Sequence, residues 1–213
     1  MEYIEILNAG KCFKGNWVFQ NVNASFAKGQ IYGLIGYNGS GKTMLLKSIC
    51  GLVRLSEGAI LVDGEEVGVT IDVPASVGAI IEVPGFLPYL SGFANLKYLA
   101  KLKNQIDDSV IRDTIRLVGL NPDSRKHVGK YSLGMRQRLG IAQSIMENPD
   151  ILLLDEPMNG LDQQGVSDVK SLLMKLRLQG KTIILASHHS EDIDELCDVV
   201  YRMGGGKISK VSG

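Results

Sequence analysis

The feature that most constrains the fold is a glycine-rich segment that joins an apolar run to a helical pattern. The apolar run covers 31–35, and the spacing of apolar residues over 43–50 predicts a helix that Gly51 ends. The segment between them matches the pattern G-x-x-x-x-G-K-S/T, and a buried strand, glycine loop and helix in this order begin an α/β unit. Its eight residues are Gly36, Tyr37, Asn38, Gly39, Ser40, Gly41, Lys42 and Thr43.

A loop of this composition is suited to holding phosphate. Small residues let successive backbone N–H groups point at phosphate oxygens, and the following helix adds its positive N-terminal end. Lys42 is predicted to reach the β- and γ-phosphates, and the Thr43 hydroxyl is predicted to ligate Mg²⁺. The alternative is a glycine-rich turn without a ligand, which the flanking strand and helix disfavour. The segment therefore predicts binding of ATP with Mg²⁺.

The remaining patterns predict one α/β domain. Its core is expected at about 1–85 and 148–213, with an inserted helical lobe at about 86–147. Short apolar runs predict strands at 2–7, 17–26, 31–35, 59–62, 77–83, 151–154 and 182–186, and a closing hairpin at 199–203 and 207–211. Helical spacing predicts helices at 43–50, 91–102, 110–118, 166–178 and 191–197.

Charge and hydropathy exclude several kinds of protein. Lysine plus arginine (23) balances aspartate plus glutamate (23), so no positive excess indicates nucleic acid or an anionic membrane surface as a partner. No run of about 18 apolar residues predicts a membrane span, and no signal peptide is predicted. The cysteines at 12, 50 and 197 are far apart and form no zinc motif. A membrane role would therefore require a separate chain.

Two carboxylates end the apolar strand at 151–154. Asp155, at the strand end, is predicted to hold Mg²⁺ through water, and Glu156 is predicted to orient and deprotonate an attacking water. An acidic pair after a strand is also typical of a solvated strand end. The phosphate loop upstream favours the catalytic interpretation.

A third segment, 131–138, opens a helix. It reads Tyr-Ser-Leu-Gly-Met-Arg-Gln-Arg, and Ser132 is a natural N-cap. Apolar residues follow at 135, 139, 142 and 146, and Asn148-Pro149 ends the helix. Taken alone, the segment predicts a capped amphipathic helix and nothing more.

Taken in order, these segments resemble the ATPase subunit of ABC transporters over essentially the whole chain. The resemblance implies an α/β P-loop NTPase (RecA-like) core with an N-terminal antiparallel β subdomain and the inserted α-helical lobe. It implies an ATPase at the cytoplasmic face of a bacterial membrane that energises a separate integral membrane permease. Nucleic acid is not an expected partner.

The family's signature segment, LSGGQ, is matched in part. Here it reads Tyr-Ser-Leu-Gly-Met, which keeps Ser132 and Gly134 and loses the glutamine. In the family this segment donates to the γ-phosphate of ATP held by the opposite subunit. The resemblance therefore implies an ATP-dependent dimer, with the chain itself or with a paralogue.

Further roles come from matching positions. Phe13 matches an aromatic residue that stacks on adenine, although a core phenylalanine is the alternative. His188 matches the switch histidine that contacts the γ-phosphate and the Glu156 region; the adjacent His189 fits the pattern less well. Segment 159–162 resembles the D-loop, which communicates across the dimer.

Glu82 departs from the family pattern. The family usually has glutamine here, whereas glutamate is common in the bacterial lantibiotic and peptide-antibiotic immunity and resistance exporters that 81–89 resembles. A carboxylate at this position is expected to ligate Mg²⁺ and to slow hydrolysis by adding negative charge. The apolar residues at 86–89 are expected to be buried, to contact the membrane subunit, or both.

The resemblance favours export of a peptide-like or amphipathic toxic compound. One alternative is a soluble ABC-type ATPase that is not coupled to transport, but such proteins usually have tandem domains or a long coiled coil. A small-molecule or nucleotide kinase with a phosphate loop is another, and it would have no place for the signature helix or the switch histidine.

Overall fold

The computed structural model describes residues 2–103, 105–188, 193 and 195–212. The strands are β1 (Glu2–Phe13), β2 (Asn16–Ala27), β3 (Ile31–Ile35), β4 (Glu57–Val62), β5 (Glu65–Glu66), β6 (Val77–Ile80), β7 (Ile151–Asp155), β8 (Thr182–Ser187), β9 (Val199–Gly204) and β10 (Lys207–Ser212). The helices are α1 (Lys42–Ile49), α2 (Gly92–Lys103), α3 (Asp108–Leu117), α4 (Leu133–Ile145) and α5 (Gln163–Leu178), with a short 3-10 turn at Val128–Lys130.

The N-terminal strands form an antiparallel sheet in the order β2-β1-β4-β5. β1 extends to Phe13, well beyond the predicted 2–7, because it pairs with β2 on one side and with β4 on the other. Several register shifts interrupt the β1–β2 pairing, and Asn8 has a positive φ of 47°. These irregularities break the period-2 alternation on which the sequence prediction depended.

The second sheet has the order β10-β9-β3-β8-β7-β6 and is parallel except for β10. β3 and β7 both pair with β8, so the strands that lead into the phosphate loop and into Glu156 end at the same edge of the sheet. All residues of β7 and β8 are buried, as expected of central parallel strands. The predicted α/β fold with an N-terminal antiparallel sheet is confirmed.

Alternate residues of β7 face two different cores. Leu153 faces the antiparallel sheet and packs in one cluster with Leu45 of α1 and Ile4 of β1. Leu154 faces the other way and packs in a cluster with Leu139 of α4 and Leu173 of α5. The parallel sheet is therefore covered on both faces, which holds its carboxyl edge rigid for a site.

Segment 86–147 contains α2, α3 and α4, and α4 also packs directly on β6. β6 ends at Ile80 rather than at 83, so the prediction of a strand through Glu82 is wrong. α5 begins at Gln163, three residues before its predicted start, because Asp162 caps it by accepting from the Gly165 N–H. Of the helix predicted at 191–197, residues 191, 192 and 194 lie outside the described residues, whereas 193, 195 and 196 are helical. Among the described helices, none is long and apolar enough to cross a membrane.

Candidate functional site

The phosphate loop follows β3 and packs against the end of β9. A Cβ atom at Gly36 would lie 2.3 Å from the carbonyl oxygen of Met203, and Gly41 has a φ of +104°. Both positions therefore require glycine. The Lys42 Nζ donates to the carbonyl oxygens of Gly36 at 2.6 Å and of Tyr37 at 3.3 Å, so its ammonium group lies within the curve of the loop.

The loop's own polar groups fit a polyanion. The Ser40 hydroxyl is buried, and among the described residues it has no hydrogen-bond partner. A buried hydroxyl without a partner costs free energy that a ligand oxygen would recover. Gly41 caps α1 without a side-chain hydrogen bond, so the first-turn N–H groups of α1 have no side-chain acceptor there. These groups suit a triphosphate at a helix N-terminus.

Thr43 and Asp155, two of the three predicted metal ligands, are in direct contact. The Thr43 Oγ1 donates to the Asp155 Oδ2 at 2.6 Å. Burial raises the pKa of Asp155, while the Thr43 hydrogen bond and the nearby Lys42 oppose that rise and the charge of Glu156 adds to it. A buried carboxylate beside a hydroxyl is an oxygen donor set of the kind that Mg²⁺ prefers. The two residues therefore fit the metal.

Glu156 follows β7 with a φ of +49°, in the left-handed region. Its N–H donates to the Ala186 carbonyl at 2.8 Å. This backbone turn directs the carboxylate toward the end of β8, where Glu156 Oε1 lies 2.7 Å from the His188 Nδ1 and Oε2 accepts from the Ser187 hydroxyl at 3.3 Å. The structure therefore brings the predicted base and the predicted switch histidine together.

Gln137 is a residue at this site whose contacts sequence reasoning missed. It lies on α4, is 9% exposed, and its Nε2 donates to the carbonyl oxygens of Glu156 at 3.2 Å and Pro157 at 3.0 Å. The available signal was a second buried stripe on α4, since Ile141 and Ile145 follow Gln137 at steps of four residues. A glutamine in that stripe needs a buried partner.

Glu82 lies in the loop after β6 with a φ of +63°. Its Oε1 forms an ion pair with the Lys47 Nζ at 2.6 Å. The Glu82 charge also contributes, as the smallest of the named causes, to the raised pKa of Asp155. Because Lys47 lies one helical turn after Thr43 on α1, this ion pair places Glu82 near the Thr43–Asp155 pair, with its carboxylate directed to Lys47.

Ser132 and Gly134 lie at the start of α4, away from these contacts. Ser132 caps α4 as predicted, because its Oγ accepts from the Met135 N–H at 3.2 Å. A Cβ at Gly134 would lie 3.0 Å from the Gly160 carbonyl oxygen. Hydrogen bonds among the described residues join neither Ser132 nor Gly134 to the phosphate loop of the same chain.

Phe13 ends β1 and is 46% exposed, so the alternative of a core phenylalanine does not hold. The Lys11 Nζ lies 4.5 Å from the centroid of its ring. The β1–β2 hairpin reaches the phosphate loop, since a Cβ at Gly41 would lie 3.4 Å from Val18. The exposed ring of Phe13 therefore lies on the hairpin that borders the phosphate loop.

Tyr37 and the apolar segment 86–89 have contacts of their own. The Tyr37 Oη accepts from the Gly205 N–H at 3.1 Å, which ties the phosphate loop to the β9–β10 turn. Phe86 packs against the core, whereas Tyr89 is 63% exposed. The apolar segment thus has a buried part and an exposed part.

The chain is similar to many known proteins. A family model described as ABC transporter matches residues 19–159. The chain is 49% identical over 205 residues to the uncharacterized ABC transporter ATP-binding protein YybJ of Bacillus subtilis (strain 168), covering 96% of this chain and 94% of YybJ. It is 42% identical to the bacitracin transport ATP-binding protein BcrA of Enterococcus faecalis, covering 98% of this chain and 68% of BcrA.

It is also 35% identical to the lantibiotic transport ATP-binding protein SrtF of Streptococcus pyogenes, covering 96% of this chain and 88% of SrtF. A solved structure with the same fold is the dimeric post-hydrolysis state of the ATP-binding cassette MJ0796 bound to ADP and Pi, with a TM-score of 0.87, 22% identity and 99% coverage of both chains. The resemblance drawn from the phosphate loop, the helix at Ser132 and the Asp155–Glu156 strand is thereby confirmed. The chain belongs to the ABC transporter family, as an ATP-binding subunit that hydrolyses ATP.

Proposed function

We propose that the chain powers a separate integral membrane permease that exports a peptide-like or amphipathic toxic compound. The observation that carries the proposal is the meeting of two pairs, Thr43–Asp155 and Glu156–His188, at the sheet edge where the phosphate loop lies. Similarity to proteins named for bacitracin and lantibiotic transport supports the class of cargo. The site of action is the cytoplasmic face of a bacterial membrane.

The nucleotide site is assigned to residues of the phosphate loop and its neighbours. The loop N–H groups, the Ser40 hydroxyl and Lys42 bind the phosphates, and the exposed ring of Phe13 stacks on adenine. Thr43 and Asp155 hold Mg²⁺, which supplies charge neutralisation at the phosphate oxygens when bound. Glu82 contributes a carboxylate near the same metal.

Glu156 is the proposed general base. Its carboxylate accepts a proton from the attacking water as the water oxygen bonds to the γ-phosphorus and the bond to the leaving ADP oxygen breaks. The 2.7 Å contact to the His188 Nδ1 holds that carboxylate at the end of β8. His188 then presents its other ring nitrogen toward the γ-phosphate, as the switch histidine of the family does.

A second subunit completes the site. Ser132 and Gly134 lie apart from the phosphate loop of their own chain, at the N-terminus of α4, where backbone N–H groups attract anions. They are assigned to the γ-phosphate of ATP held by a second copy or a related chain. Segment 86–147 forms the helical lobe, and its exposed Tyr89 is assigned to the permease contact.

The test is Glu156→Gln, with Glu65→Gln as a control at an exposed glutamate. Loss of the general base is expected to reduce hydrolysis by about 10²- to 10⁴-fold. It is also expected to leave an ATP-bound dimer that light scattering after gel filtration detects only when Mg-ATP is present. A Glu156→Gln variant that stays monomeric at saturating Mg-ATP contradicts the shared site, and a variant that still hydrolyses ATP contradicts the base.

Coupling to a permease is tested separately, by identifying membrane proteins encoded by neighbouring genes and expressing the chain with each of them. Co-purification from detergent-solubilised membranes, together with ATP hydrolysis that changes when that protein is present, is the expected result. Recovery of the chain alone, with hydrolysis unchanged by the membrane protein, counts against the transport function.

A further inference from the structure

The ion pair between Lys47 and Glu82 joins two segments that border the nucleotide site. Lys47 lies on α1, one helical turn after Thr43, so the two residues share a face of the helix. Thr43 bonds to Asp155, and Lys47 bonds to Glu82 at 2.6 Å. The same face of α1 therefore contacts both acidic groups.

Burial of the two partners is unequal. The Lys47 side chain is 22% exposed, whereas that of Glu82 is 64% exposed. The lysine is thus held by its surroundings, while the Glu82 carboxylate is drawn to it from a loop whose backbone at this residue has a φ of +63°. A left-handed backbone at a glutamate costs free energy. The ion pair with Lys47, which this backbone conformation permits, offsets part of that cost.

Charge balance at the site gives Lys47 a reason to be there. Three carboxylates lie beside the loop that binds a polyanion: those of Asp155, Glu156 and Glu82. The charge of Glu82 adds to the rise in the pKa of Asp155. Lys42 places a positive charge within the loop, and Lys47 forms an ion pair with Glu82. A glutamine at position 82 would need no counter-ion, whereas a glutamate without one would repel phosphate.

We propose that Lys47 is a positioning residue for nucleotide binding: it neutralises Glu82 and holds the carboxylate at the edge of the phosphate-loop site. This inference rests on the proposed role of the loop in holding the triphosphate. It differs from a purely structural role, in which Lys47 would only complement the negative C-terminal end of α1.

The experiment measures binding of ATP in EDTA, by calorimetry, so that neither metal nor hydrolysis contributes. Lys47→Met keeps the length of the side chain and removes its charge. The dissociation constant is expected to rise by about two- to fivefold, the scale of one partly exposed ion pair. Glu82→Gln is expected to bind at least as tightly as the native chain. The double variant is expected to match Glu82→Gln, because the uncompensated charge is gone.

Two further variants separate charge from structure. Lys47→Arg retains the charge and is expected to bind like the native chain. Lys97→Met breaks an ion pair of similar length, 2.5 Å to Asp108 on the helical lobe, and is expected to leave ATP binding unchanged. The effect of Lys47→Met is expected to shrink between low and high salt, because the charges are partly exposed.

A double variant that binds as weakly as Lys47→Met alone would overturn the proposal, because the loss would then be independent of Glu82. Native-like binding by Lys47→Met would overturn it as well. Failure of the proposed phosphate site looks different: neither the native chain nor any variant would bind ATP, in EDTA or with Mg²⁺ present. Circular dichroism of each variant confirms that it is folded.

Discussion

Replacing Gln137 with methionine tests how α4 holds the loop that follows β7 and carries Glu156, the proposed base. Methionine has a similar length and volume and fits a buried position, but it cannot donate a hydrogen bond. Two donations are lost, to the carbonyl oxygens of Glu156 and Pro157. The Glu156 carbonyl keeps the N–H of Asn159 at 3.1 Å, whereas among the described residues Pro157 has no second donor to its carbonyl.

The size of the effect follows from these contacts. Each lost hydrogen bond costs about 1 kcal/mol, and a buried carbonyl left without a donor costs about 1–3 kcal/mol, so we expect a total of about 2–4 kcal/mol. For a domain of this length that corresponds to a fall in Tm of roughly 4–16 °C. The variant is expected to remain folded at 25 °C.

Hydrolysis is expected to fall further than stability alone would explain. Glu156 is held at a φ of +49°, and Gln137 secures the carbonyl at the end of that strained residue. Release of this carbonyl lets the carboxylate shift, and a displacement of about 1 Å at a catalytic group costs up to about 100-fold in rate. We expect kcat to fall by about 10- to 100-fold while the affinity for ATP changes less than twofold, because Gln137 does not contact the phosphate loop.

Three quantities are measured: the rate of phosphate release at saturating Mg-ATP, the affinity for ATP by titration calorimetry, and Tm by differential scanning calorimetry. Gln143→Met is the matched control, since it makes the same chemical change on the same helix at a residue that does not contact Glu156. An equal loss of kcat in Gln143→Met would refute the reasoning. So would a Gln137→Met variant that loses stability and keeps native kcat.

Two further predictions concern stability. Asp155→Asn is expected to raise the free energy of unfolding at pH 7, because burial raises the pKa of Asp155 and its charged form therefore destabilises the fold above the ordinary pKa. The gain should vanish toward pH 3 in metal-free melting curves, and a gain independent of pH would contradict the prediction. Gly78→Ala places a Cβ 1.9 Å from the Ser144 carbonyl oxygen where β6 meets α4. We therefore expect the free energy of unfolding, measured with denaturant, to fall by about 1–3 kcal/mol. Gly85→Ala, with open space around its Cβ, is the control, and equal unfolding midpoints for the two variants would contradict the packing argument.

Several parts of the molecule were predictable because local chemistry determines them. The glycine positions of the phosphate loop, the Ser132 cap and the fully apolar strand at 151–154 each depend on backbone geometry or burial that a short segment specifies. For these features the sequence by itself was sufficient. The direct hydrogen bond between Thr43 and Asp155 was not predicted; it follows from the strand order, because parallel strands bring their carboxyl ends to one edge.

Other features depend on neighbours that are distant in sequence. β1 continues to Phe13 because β2 and β4 pair with it, and no local alternation marks that extent. β6 stops at Ile80 because its partner β7 pairs only as far as Leu154, which leaves Glu82 in a loop. Strand length is a property of the sheet, so the sequence could not determine it alone.

The charged and polar contacts at the site belong to the same class. Local sequence patterns identified Glu82 and Glu156 as site residues. They did not identify Lys47 of α1 and Gln137 of α4, which form hydrogen bonds to them. A long side chain has many rotamers, and only packing of the helices against the sheet selects the one that bonds. The sequence determined which chemistry the chain carries. The tertiary structure decided which side chains neutralise and position it.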